Sequence, residues 1–376
     1  MKEATQTSSA LNPSQDQRIA WIDVARGICI LLVVFMHFDE MFYARFASWE
    51  LAEKTWDTLS SAARPARIPA FFLISGILAS RYINATWRKI FEKRILVQYY
   101  AFALWSLIHL VILFSLYRTF DFSVVIEITY RYIFNLIWPS TQIWFLWALA
   151  VFFVVAVFAQ RFPRTALSVS LLLFLGAEYV DDTVGTQIMR SSLFFLFGCY
   201  FPLTATKLGD RKPVWFLLVL GFSYVLSILL IIIFGEYTVG IWLPATLIGV
   251  ALVFQTSSWL SISPVVRPLS YIGRHALPIY VLHGVILLSL SAYAKAYEWG
   301  FNDTVLGRAG DLVLPVFGNF LLVGACLAIY VLIRRAGAVW MFQPSESLMR
   351  KFKSLPHHDT RLDKPNWMPR EDSNLN

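Results

Sequence analysis

Ten stretches of this chain are mainly apolar for about 20 residues each, the length a helix rising about 1.5 Å per residue needs to cross a hydrocarbon core about 30 Å thick. They fall near residues 19–39, 66–82, 95–117, 142–160, 164–180, 190–206, 213–234, 238–255, 269–291 and 313–334. Composition agrees, with 57% of the 376 residues hydrophobic and 15% charged, against about 25% charged in an ordinary globular domain. A water-soluble fold cannot hide that much apolar surface. A secreted disulfide scaffold, a disordered regulator and a soluble nucleotide-binding enzyme are therefore set aside. Cys29, Cys199 and Cys326 each lie in an apolar stretch without a CxxC partner, so neither a disulfide framework nor a metal cluster is expected. The expected fold is an all-α, polytopic bundle of about ten spanning helices.

Loop charge orients such a bundle. The 81–94 loop carries Arg81, Arg88, Lys89, Lys93 and Arg94; the 160–164 turn carries Arg161 and Arg164; the 207–213 loop carries Lys207, Arg211 and Lys212; Arg334 and Arg335 follow the last stretch. The intervening loops hold Asp39, Glu40, Glu50, Glu53 and Asp57, then Glu178, Asp181 and Asp182, then Glu236. Basic and non-basic loops alternate, which by the positive-inside rule puts both termini in the cytoplasm. The net charge of +8 then belongs to topology, and no nucleic-acid partner is expected. Residues 1–17 read as a disordered cytoplasmic tail, 18–335 as the transmembrane domain and 336–376 as a solvated cytoplasmic tail, with no soluble domain appended. The first apolar run is too long for a cleavable signal. Segment 121–138 reads as an interfacial helix on the outer side, with Glu127 and Arg131 spaced as a helical pair. The likeness of FFLISG at 71–76 to FFLFG at 194–198 reads as chance in a chain with 31 Phe.

A charged side chain within a span costs about 2.5–3.5 kcal/mol on insertion scales, so each one needs a reason. The first span holds Asp23, Arg26 and His37 in WIDVARGICILLVVFMHF. Eleven residues make three turns plus roughly 20°, so Arg26 and His37 share a face about 16 Å apart along the axis. Asp23 lies one turn below Arg26 and can pair with it. The plainer alternatives are an arginine snorkelling to the inner interface and an interfacial histidine. In YIGRHALPIYVLHGV, Arg274 and His275 mark the cytoplasmic end of the ninth stretch and His283 lies deeper, with Pro278 expected to loosen the helix between them. A packed, hydrogen-bonded imidazole is the alternative there, and His109 in the third stretch reads as structural. Ser75–Gly76 is a packing notch or a place for a ligand to approach backbone. The aromatic run around Trp144 is an interfacial belt or part of a site. His357 and His358 read as solvated.

The order and spacing of these elements resemble the acyltransferase-3 family, integral-membrane enzymes that O-acylate bacterial glycans. The likeness spans roughly residues 18–335. It rests on Arg26-x10-His37 preceded by Asp23, on FF-x-x-SG at Phe71–Gly76, on WFL at Trp144–Leu146, and on YIGRHALPIYVLH at 271–283. It implies about ten helices in the bacterial inner membrane and an acyl-CoA donor, acetyl-CoA or succinyl-CoA, taken from the cytoplasm. The acceptor implied is a sugar hydroxyl of a surface polysaccharide or its lipid-linked precursor, with membrane lipid and polysaccharide assembly proteins as partners. His37 matches the family's proposed catalytic base, Arg26 its motif arginine, and Asp23 stands beside them.

Ser75, Gly76, Arg94, Trp144 and His283 are expected to contact donor or acceptor. Arg67 would face the free carboxylate of a succinyl group. Where relatives carry Arg-x-x-Arg after the second span, Arg94 is followed three residues later by Val97. No bound cofactor and no metal are expected. Arg26, His37 and His283 are expected to line one cavity open to the outer side. The rival function is a transporter for a polysaccharide or lipid-linked oligosaccharide, although the paired halves common in transporters are not found.

Overall fold

A computed structural model describes residues 13–117, 122–234, 239–297 and 305–345. Residues 1–12, Glu236 and the stretch 346–376, with His357 and His358, lie outside the described residues. All regular elements among the described residues are helices. They are α1 (Pro13–Phe38), α2 (Glu50–Ala62), α3 (Arg64–Ala79), α4 (Leu96–Tyr117), α5 (Phe122–Ile137), α6 (Trp144–Ala159), α7 (Pro163–Gly176), α8 (Thr183–Tyr200), α9 (Val214–Phe234), α10 (Val239–Leu260), α11 (Val266–Arg274), α12 (Ala276–Ala296) and α13 (Val305–Arg335), with short one-turn pieces between some of them.

Every one of the ten expected stretches is helical over most of its length. Among the described residues, seven helical stretches are long and apolar enough to cross a membrane: Ala20–Phe46, Glu50–Tyr82, Trp87–Leu116, Val214–Phe234, Gly240–Leu260, Ala276–Ala296 and Gly307–Arg335. The other three expected spans are α6, α7 and α8, of 16, 14 and 18 residues. The chain is a multi-pass helical membrane protein.

Local chemistry adjusts the expected boundaries in two places. The first helix starts at Pro13, inside the segment read as a 1–17 tail. The ninth stretch is two helices, broken at His275 (φ −103°, ψ 22°). Pro278 accounts for the position, because in a continuous helix its ring would collide with the carbonyl four residues back, that of Arg274. The break therefore precedes the proline, and the segment from Ala276 to His283 is about two turns of regular helix rather than a loosened one. Segment 122–137 is helical, and the expected pair forms with Arg131 Nη2 2.8 Å from Glu127 Oε1.

The helix α1 packs against α3, α10, α11, α12 and α13, which buries Val24, Ala25, Cys29, Ile30, Val33 and Val34 around its circumference. Two crossings are set by glycine. A Cβ on Gly27 would strike the backbone of Leu269, and one on Gly273 the carbonyl of Asp23, so α1 and α11 touch backbone to backbone. Likewise a Cβ on Gly76 would meet the Phe195 carbonyl and one on Gly198 the Leu73 carbonyl. The FFLISG and FFLFG segments thus pack reciprocally across the α3–α8 crossing, the close approach that small residues permit in membranes. Basic loops gather where α1 begins: Gly209 lies on Trp21, Arg211 over Trp259, and Arg274 beside Asp23. Asp39, Glu40 and Asp311 gather where it ends, with Asp311 accepting from the backbone N–H groups of Ser48 and Trp49 at 3.0 and 2.8 Å ahead of α2.

Candidate active site

The early part of α1 presents an ionic cluster. Asp23 lies between two guanidinium groups, with Oδ1 3.7 Å from Arg26 Nη1 and Oδ2 3.6 Å from Arg274 Nη1. Arg26 and Arg94 line a cavity of about 210 Å³, together with Ser75, Gln98, Phe145 and Tyr280. The Arg94 guanidinium stacks 4.0 Å from the centre of the Tyr82 ring, and its Nε is buried without a hydrogen-bond partner. Two cations converging on a cleft that also holds Ser75, Gln98 and Tyr280 suit an anionic or strongly polar ligand.

The far end of α1 presents imidazoles. The rings of His37 and His283 lie 5.2 Å apart, centre to centre. His283 is fully buried, and its Nδ1 is 3.1 Å from the Ile279 carbonyl. A carbonyl only accepts, so Nδ1 carries the proton and Nε2 keeps a basic lone pair. That Nε2 is buried with no hydrogen-bond partner, and so is His37 Nδ1, which is 3.9 Å from Glu40 Oε2, beyond hydrogen-bonding reach. Buried polar groups are nearly always paired, and leaving one unpaired costs about 1–3 kcal/mol. Two such nitrogens on neighbouring rings mark a place suited to receive a proton from a hydroxyl. His109 donates from Nε2 to the Val281 carbonyl at 3.0 Å, as its structural reading requires.

Tyr280 joins the two ends. It lines the Arg26 cavity, its ring lies 5.8 Å from that of His283, and its hydroxyl donates to the Gln142 carbonyl at 2.8 Å. Neither His37 nor His283 lines the Arg26 cavity, so that cavity is not the shared one expected from sequence.

The other expected contacts divide. Ser75 lines the cavity, with Oγ donating to the Phe71 carbonyl at 2.8 Å, whereas Gly76 faces α8 and serves packing. Trp144 packs against Phe72 at 6.0 Å, while Phe145 and Leu146 after it line the cavity, because residues on one helical turn face different ways. Arg67 is 2% exposed, donates from Nη1 to the Ser60 carbonyl at 2.8 Å and touches the Met36 sulfur. It lies on the His37 side of the bundle, with its Nε buried and without a hydrogen-bond partner. Tyr280, Gln98 and the second arginine on Asp23 had no assigned role from sequence. Tyr280 was findable, since it lies three residues before His283 and so on the same face.

A family model described as an acyltransferase domain matches residues 19–335. The inner membrane protein YcfT of Escherichia coli (strain K12) is 26% identical over 354 residues, covering 87% of this chain and 96% of that protein. No solved structure matches the chain. The matched region holds Asp23, Arg26 and His37 of α1, the cavity and His283, and the chain belongs to the acyltransferase-3 family.

Proposed function

We propose that this protein transfers an acetyl or succinyl group from acyl-CoA to a sugar hydroxyl of a surface polysaccharide or its lipid-linked precursor, in the bacterial inner membrane. The observation that carries the reading is the His37–His283 contact, with its two unpartnered buried nitrogens, one tyrosine away from a cleft lined by Arg26 and Arg94. A thioester is already activated and a sugar hydroxyl is a poor nucleophile, so the protein's task is to hold both and take a proton. Neutral imidazole suits that task near neutral pH. The hydroxyl oxygen attacks the thioester carbonyl, a C–O bond forms as the C–S bond breaks, and the hydroxyl proton passes through His37 to the departing CoA thiolate. Arg26, held by Asp23, and Arg94 receive the anionic donor from the side of the basic loops, which faces the cytoplasm.

The test uses the purified protein in lipid nanodiscs with radiolabelled acetyl-CoA or succinyl-CoA and de-acylated polysaccharide. Label on the glycan is the expected result. A deletion strain should still export polymer, lacking only its acyl groups; loss of the polymer itself would indicate a transporter instead. A cysteine at residue 88 should stay unlabelled by an impermeant reagent in intact cells, and one at 55 should be labelled.

A further inference from the structure

A second cavity, of about 630 Å³, lies between α4 and α5 and shares no lining residue with the Arg26 cleft. His109 and Gln142 are among its lining residues. Both press on α12 beside His283: a Cβ added at Gly284 would stand 2.6 Å from Gln142 Oε1 and 2.8 Å from His109 Cε1. Tyr280, which lines the other cleft, donates its hydroxyl to the backbone carbonyl of this same Gln142. His109 and Gln142 therefore stand between this cavity and the segment of α12 that carries His283.

The wall contributed by α5 has a definite chemistry. Tyr130 and Phe134 lie one turn apart and are 71% and 51% exposed, and beside them runs the Glu127–Arg131 pair. Ser140 and Thr141 add short-range hydrogen-bonding groups. A pyranose ring needs an aromatic surface for its C–H face and a ring of donors and acceptors for its hydroxyls. A lipid tail needs neither an ion pair nor an amide. The volume lies within the range of about 300–1,000 Å³ usual for small-ligand sites.

We propose that this cavity is the acceptor site: it holds one sugar unit of the glycan against Tyr130 and Phe134 and presents a hydroxyl to the His37–His283 pair. This rests on the acyl-transfer reading above and gives α5, the amphipathic segment without a spanning role, its function.

Occupancy can be read without turnover. Cys29, Cys199 and Cys326 are buried, so Thr141→Cys in nanodiscs gives a maleimide target in the cavity. The probe is de-acylated oligosaccharide cut from the host's own surface polysaccharide, against added phosphatidylglycerol as a lipid control. The expected result is at least tenfold slower labelling with oligosaccharide, lost in Tyr130→Ala/Phe134→Ala. In the protein without the cysteine, Tyr130→Ala should raise the acceptor KM at least tenfold and leave the acyl-CoA KM unchanged. Protection by lipid alone, or full labelling in a preparation that acylates the same oligosaccharide, overturns the site. Protection without any acyl transfer keeps the site and overturns the transferase reading; neither protection nor transfer overturns both.

Discussion

The two ends of α1 carry polar groups of opposite design in the same apolar helix. At the Asp23 end, full charges face one another at 3.6–3.7 Å, Arg274 half out in solvent. At the His37 end, the imidazoles are close-packed at 5.2 Å, with ring nitrogens lacking partners. Loose ion pairs around a cleft can exchange an internal partner for an anionic ligand. Tightly enclosed neutral rings cannot exchange charge cheaply, but they can accept a proton from a group brought to them. Under the function proposed above, binding belongs to the Arg26 end and proton transfer to the His37 end, about three helical turns apart.

The largest effect should come from disturbing both ends together. Gly27 lies midway against the α11 backbone, so Gly27→Leu must push α1 from its neighbour, while Gly221 has open space beside it. Gly27→Leu is expected to remove folded protein from the membrane fraction, and Gly221→Leu to leave its amount and melting temperature unchanged. Next is His37→Ala, expected to lower acyl transfer by about 10²–10⁴-fold at wild-type protein levels. Normal transfer in that variant would end the division of labour between the ends.

Arg26→Lys keeps the charge but loses the planar fork, and should weaken donor use by about tenfold to a hundredfold, seen as a higher acyl-CoA KM. A fall in kcat alone would move Arg26 from binding into chemistry. The smallest effect belongs to Arg274→Gln. Its pair with Asp23 is more than half exposed on the arginine side, and exposed pairs contribute about 0–1 kcal/mol, so transfer should change less than about fivefold. A larger loss would show that Asp23 needs both arginines to hold Arg26 in place.

Much of this architecture is legible one segment at a time. The apolar runs, the shared face of Arg26 and His37, the Asp23 pair and the Glu127–Arg131 pair all follow from helical periodicity over short spacings. Pairings across the chain are not legible that way. FFLISG and FFLFG look like coincidence until α3 and α8 cross at their glycines, and Gly76 changes from a ligand contact to a packing surface. The neighbour of His37 lies in α12, and nothing local announces which histidine it will meet. Pro278 was visible as a disturbance, but the break lies at His275 because the clash falls on the carbonyl four residues earlier.

Sequence by itself determined the solvent of this protein, its all-helical class and the costly polar residues that need a reason, because each of these is a property of consecutive residues and their transfer free energies. Tertiary structure alone decided that Tyr280 lines the Arg26 cleft beside His283, that His37 faces His283, and that α5 walls the second cavity. Those outcomes depend on which helices pack side by side, and in a bilayer that choice is made by shape and close backbone approach between distant segments rather than by hydrophobicity, which every span shares.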